Sequence, residues 1–275
     1  MESPACDNTL MDGPIAAVEL ARRRNGRHLL LLFDFDGTLT PFQADPDAVL
    51  LEDDVRARLA SLALQPDATV GIISGRRLPD LEKRLKIPGE VYVAGFHGLE
   101  IHAPGETFMH PDAAAATATM RAIAETMRAH LPRLPGVFIE DKVFSIALHY
   151  REAEPAVRVV AQSRFMGAAR EHVDSGRLRV LPGACVIELL PGVSWHKGSA
   201  LQWIRERIER VHGPTFTVYV GDDVTDEDAF RAVGPDGMTI SASERASGAE
   251  FVVNGPAGVK RLLHSLEAPE DNGRA

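Results

Sequence analysis

The segment Asp34-Phe35-Asp36-Gly37-Thr38-Leu39-Thr40 follows directly on the apolar run Leu29 to Phe33. Side chains two apart on a strand point the same way, so Asp34 and Asp36 can face one site while Phe35 turns into the core. One carboxylate in such a pair can attack phosphorus as a nucleophile. The other can protonate the leaving oxygen and later take a proton from water. Gly37 permits the tight turn that must follow. A plain turn at a strand end also uses Asp and Gly. Two aspartates around an aromatic residue, straight after five apolar residues, are more than a turn needs.

A second acidic segment, Gly221-Asp222-Asp223-Val224-Thr225-Asp226-Glu227-Asp228, follows another apolar stretch, 217–220. Clustered carboxylates at a strand end suit a hard, octahedral cation such as Mg²⁺. Such an ion offsets their repulsion and bridges to a substrate phosphate. Thr225 with Asp228 three residues on fits a helix N-cap, which leaves Asp222 and Asp223 unexplained by capping. Ser74 closes the apolar run 69–73, where its hydroxyl and the following N–H groups can hold a phosphate oxygen. Lys197 opens an amphipathic stretch, where an ammonium at a helix N-terminus can neutralise both phosphate and carboxylate. Taken singly, a loop serine and a solvated surface lysine are the ordinary readings of those two.

The elements that must position these residues alternate. Strands are expected over 29–33, 69–73, 91–94, 216–220 and 251–253, with helices over 15–24, 53–64, 79–85, 199–211, 225–233 and 256–266. That rhythm is the pattern of an α/β, doubly wound parallel-sheet (Rossmann-like) core. Such sheets bind ligands at the carboxyl ends of their strands, where all four clusters fall. The first dozen residues show no period and are expected to fray. Between Ile101 and Trp195 the rhythm breaks. A helix over 111–131 carries Met120, Ile123, Met127 and Leu131 on one stripe, strands fall within 137–150 and 178–190, and a second helix runs over 155–173. A helical crossover needs only about 30 residues. The expectation is therefore a hydrolase core, residues 1–102 and 192–275, with an inserted α+β cap domain, residues 103–191.

Composition narrows the partners. The 275 residues carry a formal net charge of −9, which argues against nucleic acid or an anionic membrane as partner. Positive charge for a phosphorylated substrate must then be supplied locally. Cys6 and Cys185 lack a zinc or redox spacing, which fits a reduced setting. No apolar run approaches the ~18 residues of a membrane span, and the acidic residues precede Arg22-Arg23-Arg24, the reverse of a secretory signal. A soluble cytoplasmic protein, and a monomer, is expected.

With those segments located, the sequence resembles the haloacid-dehalogenase-like phosphatase superfamily, whose core motifs match Asp34-x-Asp36-Gly-Thr, Ser74, Lys197 and Gly-Asp222-Asp223. The match extends over about 29–266. The resemblance implies that Asp34 is the nucleophile, Asp36 the general acid/base, and Ser74 and Lys197 catalytic partners. It implies a Mg²⁺ ion held by the Asp34 side chain, the Asp36 carbonyl and Asp222 or its neighbour Asp223, with direct contact by Asp223 or Asp226 left open. A cap inserted between the second and third motifs is the type that closes over small phosphorylated sugars.

Further segments resemble the trehalose-6-phosphate phosphatase family: Ser74-Gly75-Arg76, Gly95-x-His97-Gly98-x-Glu100, Glu140-Asp141-Lys142, His149-Tyr150-Arg151, Glu188 through Pro191-Gly192, and Gly221-Asp222-Asp223-x-Thr225-Asp226-Glu227. That resemblance implies substrate binding by Arg76, His97, Glu140, Lys142 and Glu188, the last three through sugar hydroxyls. On the residues alone, Glu140 and Lys142 also fit the solvent face of a strand, and His97 and His149 also fit structural roles. His196 departs from the family, which carries Asp or Asn before the lysine. The alternatives are a phosphatase for sucrose phosphate or a hexose phosphate, and a non-catalytic sugar-phosphate sensor, which would be expected to lose one of the two aspartates kept here.

Overall fold

The computed structural model describes residues 9–10, 13–43, 48–183, 185–243 and 248–267. The chain divides into two compact units, residues 1–108 with 195–275, and residues 109–194. In the first unit the chain runs β1 (Thr9–Leu10), α1 (Gly13–Arg24), β2 (His28–Phe33), α2 (Asp53–Ala63), β3 (Ala68–Ile73), α3 (Leu78–Leu85), β4 (Tyr92–Gly95), β5 (Glu100–Ala103) and β6 (Glu106–Met109). The second unit holds α4 (Pro111–Arg128), β7 (Phe138–Asp141), β8 (Ile146–His149), α5 (Pro155–Asp174), β9 (Leu178–Gly183) and β10 (Val186–Pro191). The first unit resumes with α6 (Lys197–His212), β11 (Thr215–Gly221), α7 (Glu227–Val233), β12 (Met238–Ser241), β13 (Phe251–Val252) and α8 (Gly255–Glu267).

Nine strands among the described residues form the first unit's sheet, in the order β1-β13-β12-β11-β2-β3-β4-β5-β6. Pairing is parallel from β1 through β4 and antiparallel between β4 and β5. The central strand β2 is buried along its whole length. Leu29, Leu31 and Phe33 pack with Leu20, Leu59 and Leu262 of α1, α2 and α8 on one face. Leu30 and Leu32 pack with Leu201, Ile204 and Phe230 of α6 and α7 on the other. A strand covered on both faces has no polar side to show, which is why it reads as one apolar run. From β2 the chain builds outward through β3 and β4 on one side and through β11, β12 and β13 on the other. The order reverses between β2 and β11, so a crevice opens at their carboxyl ends. Asp34 and Asp222 stand at that place.

The second unit is an antiparallel sheet, β7-β8-β10-β9. Ile139, Leu148, Ile187 and Leu189 face Met120, Ile123 and Met127 of α4 and Phe165 of α5. The register pairs Phe138 with His149 and Val186, and Glu140 with Ala147 and Glu188. With a period of two these residues take the opposite face.

Several expectations change. β12 was not foreseen, being four residues long without an alternating pattern, and it gains its place from parallel neighbours on both sides. β5 and β6 prolong the first sheet, so the division falls after Phe108 and Ser194, not after 102 and 191. The α4 helix stops at Arg128, and Leu131 begins a separate 3₁₀ turn whose second residue is Pro132. Most of the first dozen residues and Cys6 lie outside the described residues, but Thr9 and Leu10 pair with Phe251 and Val252 where fraying was expected. Cys185 is a free thiol. Among the described residues no helix is long and apolar enough to cross a membrane.

Phe165 is fully buried at the centre of the second unit's core. Phe165→Ala is expected to cost about 3–5 kcal/mol, read by denaturant unfolding of the full chain.

Candidate active site

The chain leaves β2 into a turn locked from both sides. Asp34 N–H donates to Val220 O of β11 at 2.8 Å, and the amides of Leu39 and Thr40 donate back to Phe35 O at 3.0 and 3.1 Å. Gly37 sits at φ 85°. A Cβ there would lie 2.3 Å from Asp222 Oδ2, so the position needs glycine for space as well as for conformation. The Thr38 hydroxyl donates to Asp222 Oδ1 at 3.1 Å. The two acidic segments, far apart in sequence, are thus joined at one sheet edge.

Lys197 opens α6 and is only 2% exposed. The solvated surface reading is therefore wrong. Its Nζ donates to Asp34 Oδ1 and to Asp226 Oδ1, each at 2.7 Å. His196, the departure noted above, is the helix N-cap and accepts from Ser199 N–H through Nδ1 at 3.3 Å. An imidazole nitrogen thus takes the capping task that Asp or Asn usually performs.

Asp226 is fully buried. Its Oδ1 also accepts from the Tyr219 hydroxyl at 2.7 Å, and its Oδ2 accepts from the amides of Asp222 and Asp223, each at 3.0 Å. Four donors saturate this carboxylate, so it organises the loop and Lys197. The cap at this loop differs from the one expected. Asp223 accepts from Val224 N–H at 2.7 Å and forms a reciprocal capping box with Asp226, in place of Thr225 and Asp228. Sequence reasoning gave no role to Tyr219 or Thr38. For Asp226 the available signal was its four-residue spacing from Asp222.

One oxygen from each of Asp34, Asp222 and Asp226 lies within 4.8 Å of the others. Three carboxylates face one ammonium, leaving a buried surplus of negative charge. Burial pushes the Asp34 carboxyl well above its ordinary range; Lys197 opposes this, while Asp226 and Asp222 add to it. Burial likewise raises Asp222, against the Thr38 hydrogen bond and with the Asp226 charge. Burial works to lower Lys197, but the two carboxylates outweigh it and hold the ammonium charged. The hard oxygen donors and the missing positive charge fit a divalent cation of the Mg²⁺ type. With Asp226 saturated, Asp34 and Asp222 carry the free lone pairs.

Asp36 turns elsewhere. Its two oxygens accept from Arg76 Nε and Nη2 at 2.6 Å each, and Arg76 also pairs with Asp80 at 3.2 Å. Ser74 is buried, and its Oγ accepts from Arg76 N–H at 3.1 Å. His97 holds a left-handed backbone and donates its N–H to Ser74 O at 2.8 Å. Its ring lies against Gly75, where a Cβ would come within 2.9 Å. Asp36, Ser74, Arg76 and His97 therefore share the carboxyl edge with Asp34 and Lys197, whereas the Asp223 side chain caps its own turn in an exposed position.

In the second unit, Lys142 Nζ lies 3.3 Å from Glu188 Oε1 and 3.6 Å from Glu140 Oε2. The Ser145 hydroxyl donates to Glu188 Oε1 at 2.5 Å, and His149 Nε2 lies 2.9 Å from Glu140 Oε2. Ser145 was not foreseen.

The sequence model of the family described as Trehalose-phosphatase matches residues 32–253. The chain is 40% identical over 243 residues to the trehalose-phosphate phosphatase of Mycobacterium marinum, covering 86% of this chain and 60% of that protein. It is 38% identical over 260 residues to that of Mycobacterium tuberculosis H37Rv, covering 92% and 64%. The chain thus spans about three fifths of the length of these curated relatives. Among solved structures it is similar to Aspergillus fumigatus trehalose-6-phosphate phosphatase, with 29% identity, a TM-score of 0.66, and 94% of this chain and 98% of that chain covered. The C-terminal domain of Candida albicans trehalose synthase regulatory protein shares the fold at 14% identity and a TM-score of 0.62, covering 94% and 99%.

Lys197→Met is expected to destabilise the metal-free protein by about 3–5 kcal/mol at pH 7.5, since it leaves buried carboxylates without their counter-charge. Denaturant titrations of wild type and variant at pH 7.5 read that loss directly.

Proposed function

Because the chain belongs to the trehalose-phosphatase family, we propose that it hydrolyses trehalose 6-phosphate to trehalose and inorganic phosphate, with Mg²⁺ and through an aspartyl-phosphate intermediate. The observation that carries this reading is Asp34: a carboxylate at the end of a buried central strand, held by Lys197 and set beside Asp222. Its oxygen Oδ1 is committed to the ammonium, which leaves the second oxygen to attack. A bond forms from that oxygen to phosphorus as the bond from phosphorus to the sugar oxygen breaks, and Asp36 gives the leaving oxygen its proton. Asp36 then takes a proton from water as the water displaces Asp34 from phosphorus, releasing phosphate. Since Arg76 engages both Asp36 oxygens, acid–base service requires the guanidinium to release at least one.

Ser74 and Lys197 hold the transferring phosphoryl group. Asp34, Asp222 and the Asp36 carbonyl would hold Mg²⁺, with Asp223 at the rim. When bound, the ion supplies positive charge against the phosphate oxygens and the clustered carboxylates. Glu140, Lys142 and Glu188 bind sugar hydroxyls, as two acceptors and a triple donor suit that rim. Arg76 and His97 complete the substrate-binding set. The protein works in the cytoplasm as a monomer, on a small molecule and without nucleic-acid or membrane partners.

The deciding experiment is phosphate release from trehalose 6-phosphate, sucrose 6-phosphate, glucose 6-phosphate and an aryl phosphate, with Mg²⁺ and with excess chelator. Preference for trehalose 6-phosphate, lost in chelator and regained on adding Mg²⁺, is expected. Full activity in chelator would refute the metal requirement, and preference for another sugar phosphate would refute the trehalose assignment. Asp34→Asn keeps the side-chain shape and should leave less than about a hundredth of the wild-type rate, because it removes the nucleophile.

A further inference from the structure

The face of the second unit's sheet turned away from α4 and α5 carries more than the three residues given to the sugar above. Phe138 and His149 are cross-strand partners on β7 and β8. Their rings stack in parallel, with centroids 4.5 Å apart and planes 7° from one another. The Phe138 side chain is 55% exposed, although Ile139 beside it packs into the core. His149 Nε2 meets Glu140 at 2.9 Å, Glu140 meets Lys142, and Lys142 and Ser145 both meet Glu188. A polar chain thus runs along the face and meets the edge of the His149 ring, while the stacking leaves the outer face of Phe138 exposed. Between Glu140 and Glu188 the register places Ala147, which is fully buried.

A gluco-configured pyranose has matching chemistry. Its hydroxyls point outward around the ring edge, and its axial C–H groups make two apolar faces. An aromatic ring offers such a face broad contact at little conformational cost, because only two torsions must be fixed. A row of carboxylates and an ammonium beside it can meet the rim. We propose that the exposed face of Phe138, backed by His149, is the apolar stacking wall for one pyranose ring of the phosphorylated sugar. Glu140 serves both roles: it orients the His149 ring and accepts from a sugar hydroxyl. The wall selects substrates that carry a second pyranose beyond the phosphorylated one. This inference rests on the sugar-phosphate reading and adds Phe138 and His149 to it as specificity-determining residues.

The test compares wild type, Phe138→Ala, Phe138→Leu and Phe138→Trp on trehalose 6-phosphate, glucose 6-phosphate and 4-nitrophenyl phosphate. It also measures inhibition of aryl phosphate turnover by unphosphorylated trehalose, a binding readout independent of sugar-phosphate chemistry. Phe138→Ala should lower kcat/KM for trehalose 6-phosphate about three- to tenfold and raise the trehalose inhibition constant by a similar factor, the range of an aromatic contact. Turnover of 4-nitrophenyl phosphate should stay within twofold. Phe138→Trp should restore both values, whereas Phe138→Leu, apolar but not flat, should not. Equal losses on all substrates would make Phe138 a structural residue and overturn the wall. Rescue by Leu would reduce it to general apolar burial and overturn it as well. If wild type prefers the disaccharide phosphate and Phe138→Ala leaves that preference intact, the wall fails while the function stands. If wild type shows no preference for any sugar phosphate over 4-nitrophenyl phosphate, both fall together.

Discussion

The first unit's functional edge depends on one buried ammonium. Lys197 lies between Asp34 and Asp226 at 2.7 Å from each, and all three are almost without solvent contact. Removing charged groups from water costs several kcal/mol per ion, so the arrangement persists only with near-complete hydrogen bonding. Asp226 meets that condition with four donors from three elements: Lys197 of α6, Tyr219 of β11, and the two amides of the following turn. The same contacts fix where Asp34 points, because Lys197 is pulled from both sides. What they do not provide is neutrality. Asp34 and Asp222 remain a pair of adjacent carboxyl groups with raised proton affinity, a donor set that would suit an oxygen-seeking divalent cation.

Backbone order makes this concentration of charge possible. The reversal of strand order between β2 and β11 leaves their carboxyl ends without a crossing helix, so two acidic turns can meet there. Parallel registration brings Phe33 level with Val220, and Asp34 N–H continues the ladder onto β11. From that anchor the chain turns at Gly37 and delivers Thr38 to Asp222. Asp34 and Asp36, only two residues apart, end in different surroundings. Asp34 is enclosed with an ammonium, while Asp36 lies half-buried against a guanidinium that has its own anchor at Asp80. Two chemically identical side chains can take different roles when their environments differ in this way.

Much of this was legible in the sequence because β2, β3 and β11 are buried on both faces and must be apolar throughout, so their polar ends stand out. The positions of Asp34, Asp36, Ser74 and the last acidic turn follow from that contrast. Lys197 was harder, since a lysine at a helix start reads as solvated unless its partners are known. Those partners lie 163 and 29 residues away. The division of labour among Asp222, Asp223 and Asp226 was not legible, because it depends on which carboxylate finds amides to accept from. Tyr219 looked like one more apolar strand residue, and only its neighbour Asp226 gives its hydroxyl a purpose. β12 was missed for a related reason: a short strand between two others needs no pattern of its own.

The second unit solves a different problem with a simpler device. Antiparallel strands covered by helices on one side leave the other side available, and the period of two separates the duties cleanly. Ile139, Leu148, Ile187 and Leu189 hold the unit together, while Phe138, Glu140, His149 and Glu188 alternate with them and take no part in that core. A substitution at Phe138 or Glu140 on that face therefore disturbs contacts near solvent and not the core. The first unit has no such freedom: Asp34, at the centre of its acidic cluster, is also a partner of its buried lysine. Charge placement and stability are coupled there, whereas in the second unit the outer face can change independently of the core.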